Sequence, residues 1–173
     1  MADRILLVLG ISAEEYGGIF IEKTAEGRNV KIKGKAQVAE ESLMKEALLY
    51  ARDYSKKVVA LQILSSDLYH YGYNDIILTA PPKTQFLSYV RSKVIERGER
   101  CAERFRKLAK EHGVAVEIKT IEVDDPTSAV LEEARKGYDM IFLHREKKHL
   151  FPLLKKTTEQ VLRKQGYRYI ATC

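Results

Sequence analysis

Residues 138–173 read YDMIFLHREKKHLFPLLKKTTEQVLRKQGYRYIATC, and this stretch decides the fold. Asp139-Met140-Ile141-Phe142-Leu143 is a short apolar run of the kind that forms a buried strand. His144 to His149 is polar and mostly basic. Leu153, Leu154, Val161 and Leu162 then recur at helical spacing, Gly166 stops that helix, and Tyr167 to Thr172 resumes a strand pattern. A strand, a loop, a helix and a second strand make the unit of a parallel sheet. Ligands of such a sheet sit where a strand's carboxyl end feeds a loop and a helix N-terminus. The junction after Leu143 is therefore the first place to look for a site.

Working outward, the same alternation runs back to the N-terminus. Ile5 to Leu9 is a buried-type strand ending in Gly10-Ile11-Ser12. Residues 14–40 interrupt the alternation. Within them, 18–23 and 29–33 read as two strands of a hairpin around Ala25 to Arg28, with Gly27 free to take the turn's positive φ. An isolated hairpin is marginal in water, so this one packs on its own domain or serves as a lid or dimer arm. Leu43, Ala47, Leu48, Ala51 and Tyr54 give a helical stripe, with Lys56 and Lys57 suited to its C-terminal turn. Val58 to Leu64 is a second buried strand.

A tyrosine-rich connection follows (Tyr69, Tyr71, Tyr73), and Pro81-Pro82 is expected to block any helix before Thr84. A long helix from about Gln85 to His112 keeps Val90, Val94, Cys101, Phe105, Leu108 and Ala109 on one face, and Gly113 caps it. Its basic face is interleaved with Glu96, Glu99 and Glu103, which favours helical ion pairs over a nucleic-acid surface. Val114, Val116 and Ile118 alternate with Ala115, Glu117 and Lys119, the pattern of a half-exposed edge strand. Asp125-Pro126 opens the next helix as N-cap and first position, and Gly137 ends it. The reading is an α/β doubly wound parallel sheet of five strands in three layers, a single domain over 1–173 with a hairpin insertion at 14–40.

Composition narrows the function classes. The chain has 173 residues, 45% hydrophobic and 31% charged, which describes an ordinary globular chain with a core. No apolar run reaches a membrane span, and no secretion signal is visible, so the expected location is the cytoplasm. The net charge of +6 favours anionic partners in general. Cys101 and Cys173 have no metal-ligand spacing, and Cys101 is expected half-buried. His70, His112, His144 and His149 form no metal motif. Ser65-Ser66-Asp67 suits a turn. No nucleophile, base and orienting group stand together.

The residues from Tyr138 onward, the element order, the long second helix and Thr158-Glu159-Gln160-Val161-Leu162 resemble the universal stress protein family. The resemblance covers the chain outside residues 14–40. It implies an adenine nucleotide alpha hydrolase-like sheet ordered 3-2-1-4-5 and a homodimer, often formed through the last strand; the hairpin is a second candidate arm. One branch of the family binds ATP through Gly-x2-Gly-x9-Gly-(Ser/Thr) after the fourth strand, where bare backbone admits phosphates. A gap-free alignment from Asp139 to Thr172 sets the three glycines at Phe142, Arg145 and Lys155 and the Ser/Thr at Lys156. His144 keeps the family's common loop residue, Gly10 aligns with the family's acidic residue, and Ser12 keeps a common serine. Large side chains in place of glycines remove the cradle. The expectation is therefore a binding or regulatory protein without ATP bound in the usual way, with no metal, no membrane and no nucleic-acid partner. The alternative is a nucleotide- or anion-binding protein using Gly10, Ser12, His144, Arg145, Lys155 and Lys156, with ATP, ADP or AMP as ligand and slow phosphohydrolase activity.

Overall fold

A computed structural model describes residues 3–11, 19–24, 27–32, 36–65, 80–144 and 157–172. The elements in order are β1 (Arg4–Ile11), β2 (Ile19–Thr24), β3 (Gly27–Ile32), α1 (Ala36–Asp53), β4 (Lys57–Ser65), α2 (Ala80–His112), β5 (Val116–Val123), α3 (Pro126–Ala134), β6 (Ile141–His144), α4 (Thr158–Lys164) and β7 (Tyr169–Thr172). Five of the strands form one parallel sheet in the order β5-β4-β1-β6-β7. In strand-order terms this is 3-2-1-4-5, the arrangement the family resemblance implies.

Between their ends the central strands are apolar except at Gln62, because both faces are covered. Leu7, Leu9, Ala60 and Phe142 join Leu43, Met44, Ala47, Leu48 and Phe105 on the face covered by α1 and α2. Leu6, Val8, Leu61, Ile63, Ile141 and Leu143 join Val130, Ala134 and Leu162 on the face covered by α3 and α4. Helix ends follow local chemistry. Asp125 caps α3 by accepting from the Ser128 amide, with Pro126 in the first turn. Gly113, Gly137 and Gly166 all take positive φ just after helices, where a Cβ would strain the turn.

Three local expectations change. α2 begins at Ala80, so Pro81 and Pro82 lie inside its first turn and do not block it. Amides there have no intrahelical acceptor, and proline loses nothing by lacking one. Tyr54 is 62% exposed and lies past the end of α1, stacked on Tyr50 at 4.5 Å between ring centroids, so it is no part of the buried stripe. Gly27 is the first residue of β3, paired with Thr24, and residues 25–26 between them lie outside the described ones. Two smaller details also differ. Cys101 is 4% exposed, fully inside the core, and its thiol is pushed up to about 12 by burial and by neighbouring Glu40. Lys57 belongs to β4, where it pairs with Glu117 at 3.0 Å.

Two polar groups tie helices to the sheet from within. Gln62, 1% exposed, donates to the Gly98 carbonyl at 2.7 Å and accepts from Thr120 Oγ1 at 3.0 Å. Gly98 permits this close approach. A Cβ there would lie 3.1 Å from Leu64 Cδ2 and 3.3 Å from Gln62 Nε2. Gly98→Ala is therefore expected to destabilise by about 1 kcal/mol, although alanine is the better helix former by a similar amount. Urea denaturation of the two proteins measures it, and a variant more stable than the parent would show that Leu64 and Gln62 yield freely.

At the opposite, amino end of the strands, Glu133 of α3 accepts from Lys119 at 2.7 Å, from Lys136 at 2.6 Å and from the Tyr138 hydroxyl. Arg4 lies over the Tyr138 ring at 4.7 Å and donates to the carbonyls of Lys136 and Gly137. The two rims of the sheet differ in chemistry. β5 carries Glu117, Lys119 and Glu122, whereas β7 is Tyr169-Ile170-Ala171-Thr172, without a charge. Among the described residues no strand pairs with the outer side of either.

Candidate functional site

All five strands of the sheet run parallel, so their carboxyl ends share one edge: Ile11, Ser65, Val123, His144 and Thr172. From β1 the chain crosses to β4 on one side, while β6 lies on the other. The order thus reverses between β1 and β6, and a crevice is expected outside their carboxyl ends. Four connections start from this edge, after Ile11, Ser65, Val123 and His144. α3 and α4 begin there as well, and their first turns touch through Thr127 Oγ1 and Thr158 Oγ1, 2.9 Å apart. α2 is about 50 Å long by its 33 residues, against about 30 Å for β4. Gly98 meets Gln62, and Arg91 reaches Glu122 near the end of β5 at 3.2 Å. Residues 80–90 consequently run on beyond the sheet at the same edge.

The candidate residues divide by position. Gly10 lies in β1, next to the reversal, and pairs in register with Ile63. An added Cβ there would meet nothing within 4 Å among the described residues. Glycine is thus not demanded by packing, and its backbone lies outside the positive-φ region. Gly10→Ala is expected to stabilise by about 0.5 kcal/mol through the unfolded chain's lost freedom; thermal unfolding reads it, and a loss of stability would mean that the space is filled. His144 ends β6 opposite Thr172, half-buried, with its Nε2 closed off from solvent. Ser12, Arg145, Lys155 and Lys156 lie outside the described residues, as do His149 and the tyrosines at 69, 71 and 73.

Phe142 requires a correction. The gap-free alignment sets the first glycine of the ATP-binding signature on it. Phe142 is instead the second residue of β6, 0% exposed, paired with Leu7 on one side and Ile170 on the other, and edge-on to Tyr50 at 5.4 Å. A residue in the middle of a core strand cannot belong to a loop that follows the strand. Counted from the end of β6, the same spacing falls on His144, Lys147, Thr157 and Thr158. The last two fit the start of α4. Thr157 is its N-cap, accepting from the Gln160 amide at 3.3 Å while the Gln160 side chain accepts from the Thr157 amide at 3.2 Å. Thr158, 5% exposed, holds the contact to Thr127. Sequence reasoning placed Thr158 in the last helix without a role at a site and passed over Thr157. The signal was present as Thr157-x-x-Gln160, a capping box.

Among the described residues no group of three or more His, Cys, Asp or Glu side chains could hold a metal, and no helix is long and apolar enough to cross a membrane. Cys101 is no nucleophile, since burial keeps its thiol protonated.

No protein-family model and no curated protein matches the chain. Solved structures do. A universal stress protein family member from Burkholderia pseudomallei is 15% identical, with 96% of this chain and 94% of that one covered and a TM-score of 0.56. The universal stress protein UspA from Lactobacillus plantarum is 12% identical, with 100% and 99% covered and a TM-score of 0.55. A universal stress protein family protein from Arabidopsis thaliana, solved with AMP bound, is 14% identical, with 97% and 89% covered and a TM-score of 0.50. At such identities the likeness is one of fold: the chain has the universal stress protein fold over nearly its whole length, as its sequence resemblance implied.

Proposed function

We propose that this protein is a dimeric binding or regulatory protein of the universal stress type, which takes a small anionic ligand at the β1–β6 crevice and has no bare-backbone cradle for a triphosphate. The observation that carries the reading is His144. It stands at the end of β6, where the ATP-binding signature counted from the strand's end calls for its first glycine. An imidazole there fills space that phosphate needs for close approach to main-chain amides. The capping box of α4 engages the amides of Thr157 and Gln160 in the same way. In this reading Gly10 leaves room for the ligand, and Ser12, Arg145, Lys155 and Lys156, on the connections that attach at this edge, hold it by hydroxyl and charge. The AMP bound to the Arabidopsis protein of like fold makes a nucleoside monophosphate the first ligand to try. The whole of 1–173 acts as one domain, with 14–40 as an insertion.

Titration calorimetry with AMP, ADP and ATP tests the ligand. AMP is expected to bind at least as well as ATP, no nucleotide is turned over, and Lys155→Ala with Lys156→Ala weakens AMP. Micromolar ATP affinity with phosphate release would overturn the reading, and unchanged affinity in the double variant would remove the two lysines from it. The dimer rests on β7, whose outer side is open and uncharged among the described residues. Light scattering is expected to give twice the mass of 19.8 kDa, with amide exchange at Tyr169 to Thr172 slowing as concentration rises. A single-copy mass at high concentration would exclude it.

A further inference from the structure

We draw no further inference here: the strongest candidate, the face of the β2–β3 ribbon on which the pairing register sets Ile19, Ile21, Val30 and Ile32 together, carries nothing because nothing in the structure shows what covers it.

Discussion

Phe142→Gly is expected to cost about 4–5 kcal/mol and to bring no nucleotide affinity. Removing a fully buried phenylalanine side chain costs about 3–5 kcal/mol, from lost transfer energy and the cavity left behind. Glycine in a strand adds about 0.5–1 kcal/mol over alanine. Both terms apply in full, because Phe142 is 0% exposed and touches Tyr50 in the layer under α1. Since a domain's whole stability is about 5–15 kcal/mol, the variant should be close to unfolding in water. Phe142→Leu is the companion measurement. It keeps most of the volume, should cost about 1 kcal/mol, and should leave ligand binding at the parent's level. Urea denaturation and calorimetry on both variants decide the matter. A Phe142→Gly protein that stays stable and gains ATP would return this position to a ligand loop.

The second large effect is expected at Glu133. Burial alone would raise its pKa, but hydrogen bonds from Lys119, Lys136 and Tyr138 outweigh burial and bring it down to about 2 from the ordinary 4.5. A folded-state pKa below the unfolded one means stability that is present above the unfolded value and is lost as pH falls through the folded one. The window is therefore from 4.5 down through about 2. The shift corresponds to about 3 kcal/mol, reduced to about 2 because Lys136 is half-exposed and its attraction is screened. Glu133→Gln should lose that amount at neutral pH, and the difference between the two proteins should shrink as the pH approaches 2. Glu40 runs the opposite way. Burial raises its pKa, against smaller lowering by Cys101, Arg97 and Arg104, so its contribution is held below 4.5 and fades as pH rises. Denaturation of Glu133→Gln and parent at neutral pH and at about pH 3 is the measurement. A difference that does not change with pH would mean that the carboxylate's charge is not what holds α3.

Why were some parts of this molecule legible in the sequence? The parallel sheet covered on both faces follows from strands with apolar runs, from capped helices such as Asp125-Pro126, and from glycines after helices. Each of these is a local signal with a local cause. The sheet's order, 3-2-1-4-5, is what the family resemblance implied. The long-range polar contacts were not legible. Gln62 reads as an interruption in a hydrophobic strand, and only the approach of Gly98 and Thr120 explains it. Glu133 reads as one surface acid among many until Lys119, fourteen residues away on another element, is brought to it. Pro81-Pro82 misled because proline's meaning depends on whether it falls in the first turn of a helix or farther in, which spacing alone does not tell. Phe142 misled through alignment. Without a gap, the count from Asp139 to Thr172 moved the signature two residues into β6.

The contrast between the two rims of the sheet carries a consequence for self-assembly. A strand that adds to β7 meets backbone groups flanked by the neutral side chains of Tyr169 to Thr172. With β7 occupied, the other border of the five-stranded sheet among the described residues is β5, whose glutamates and lysine would have to give up water to accept a strand. In the dimer proposed through β7, edge-to-edge addition to this sheet would then stop after one step.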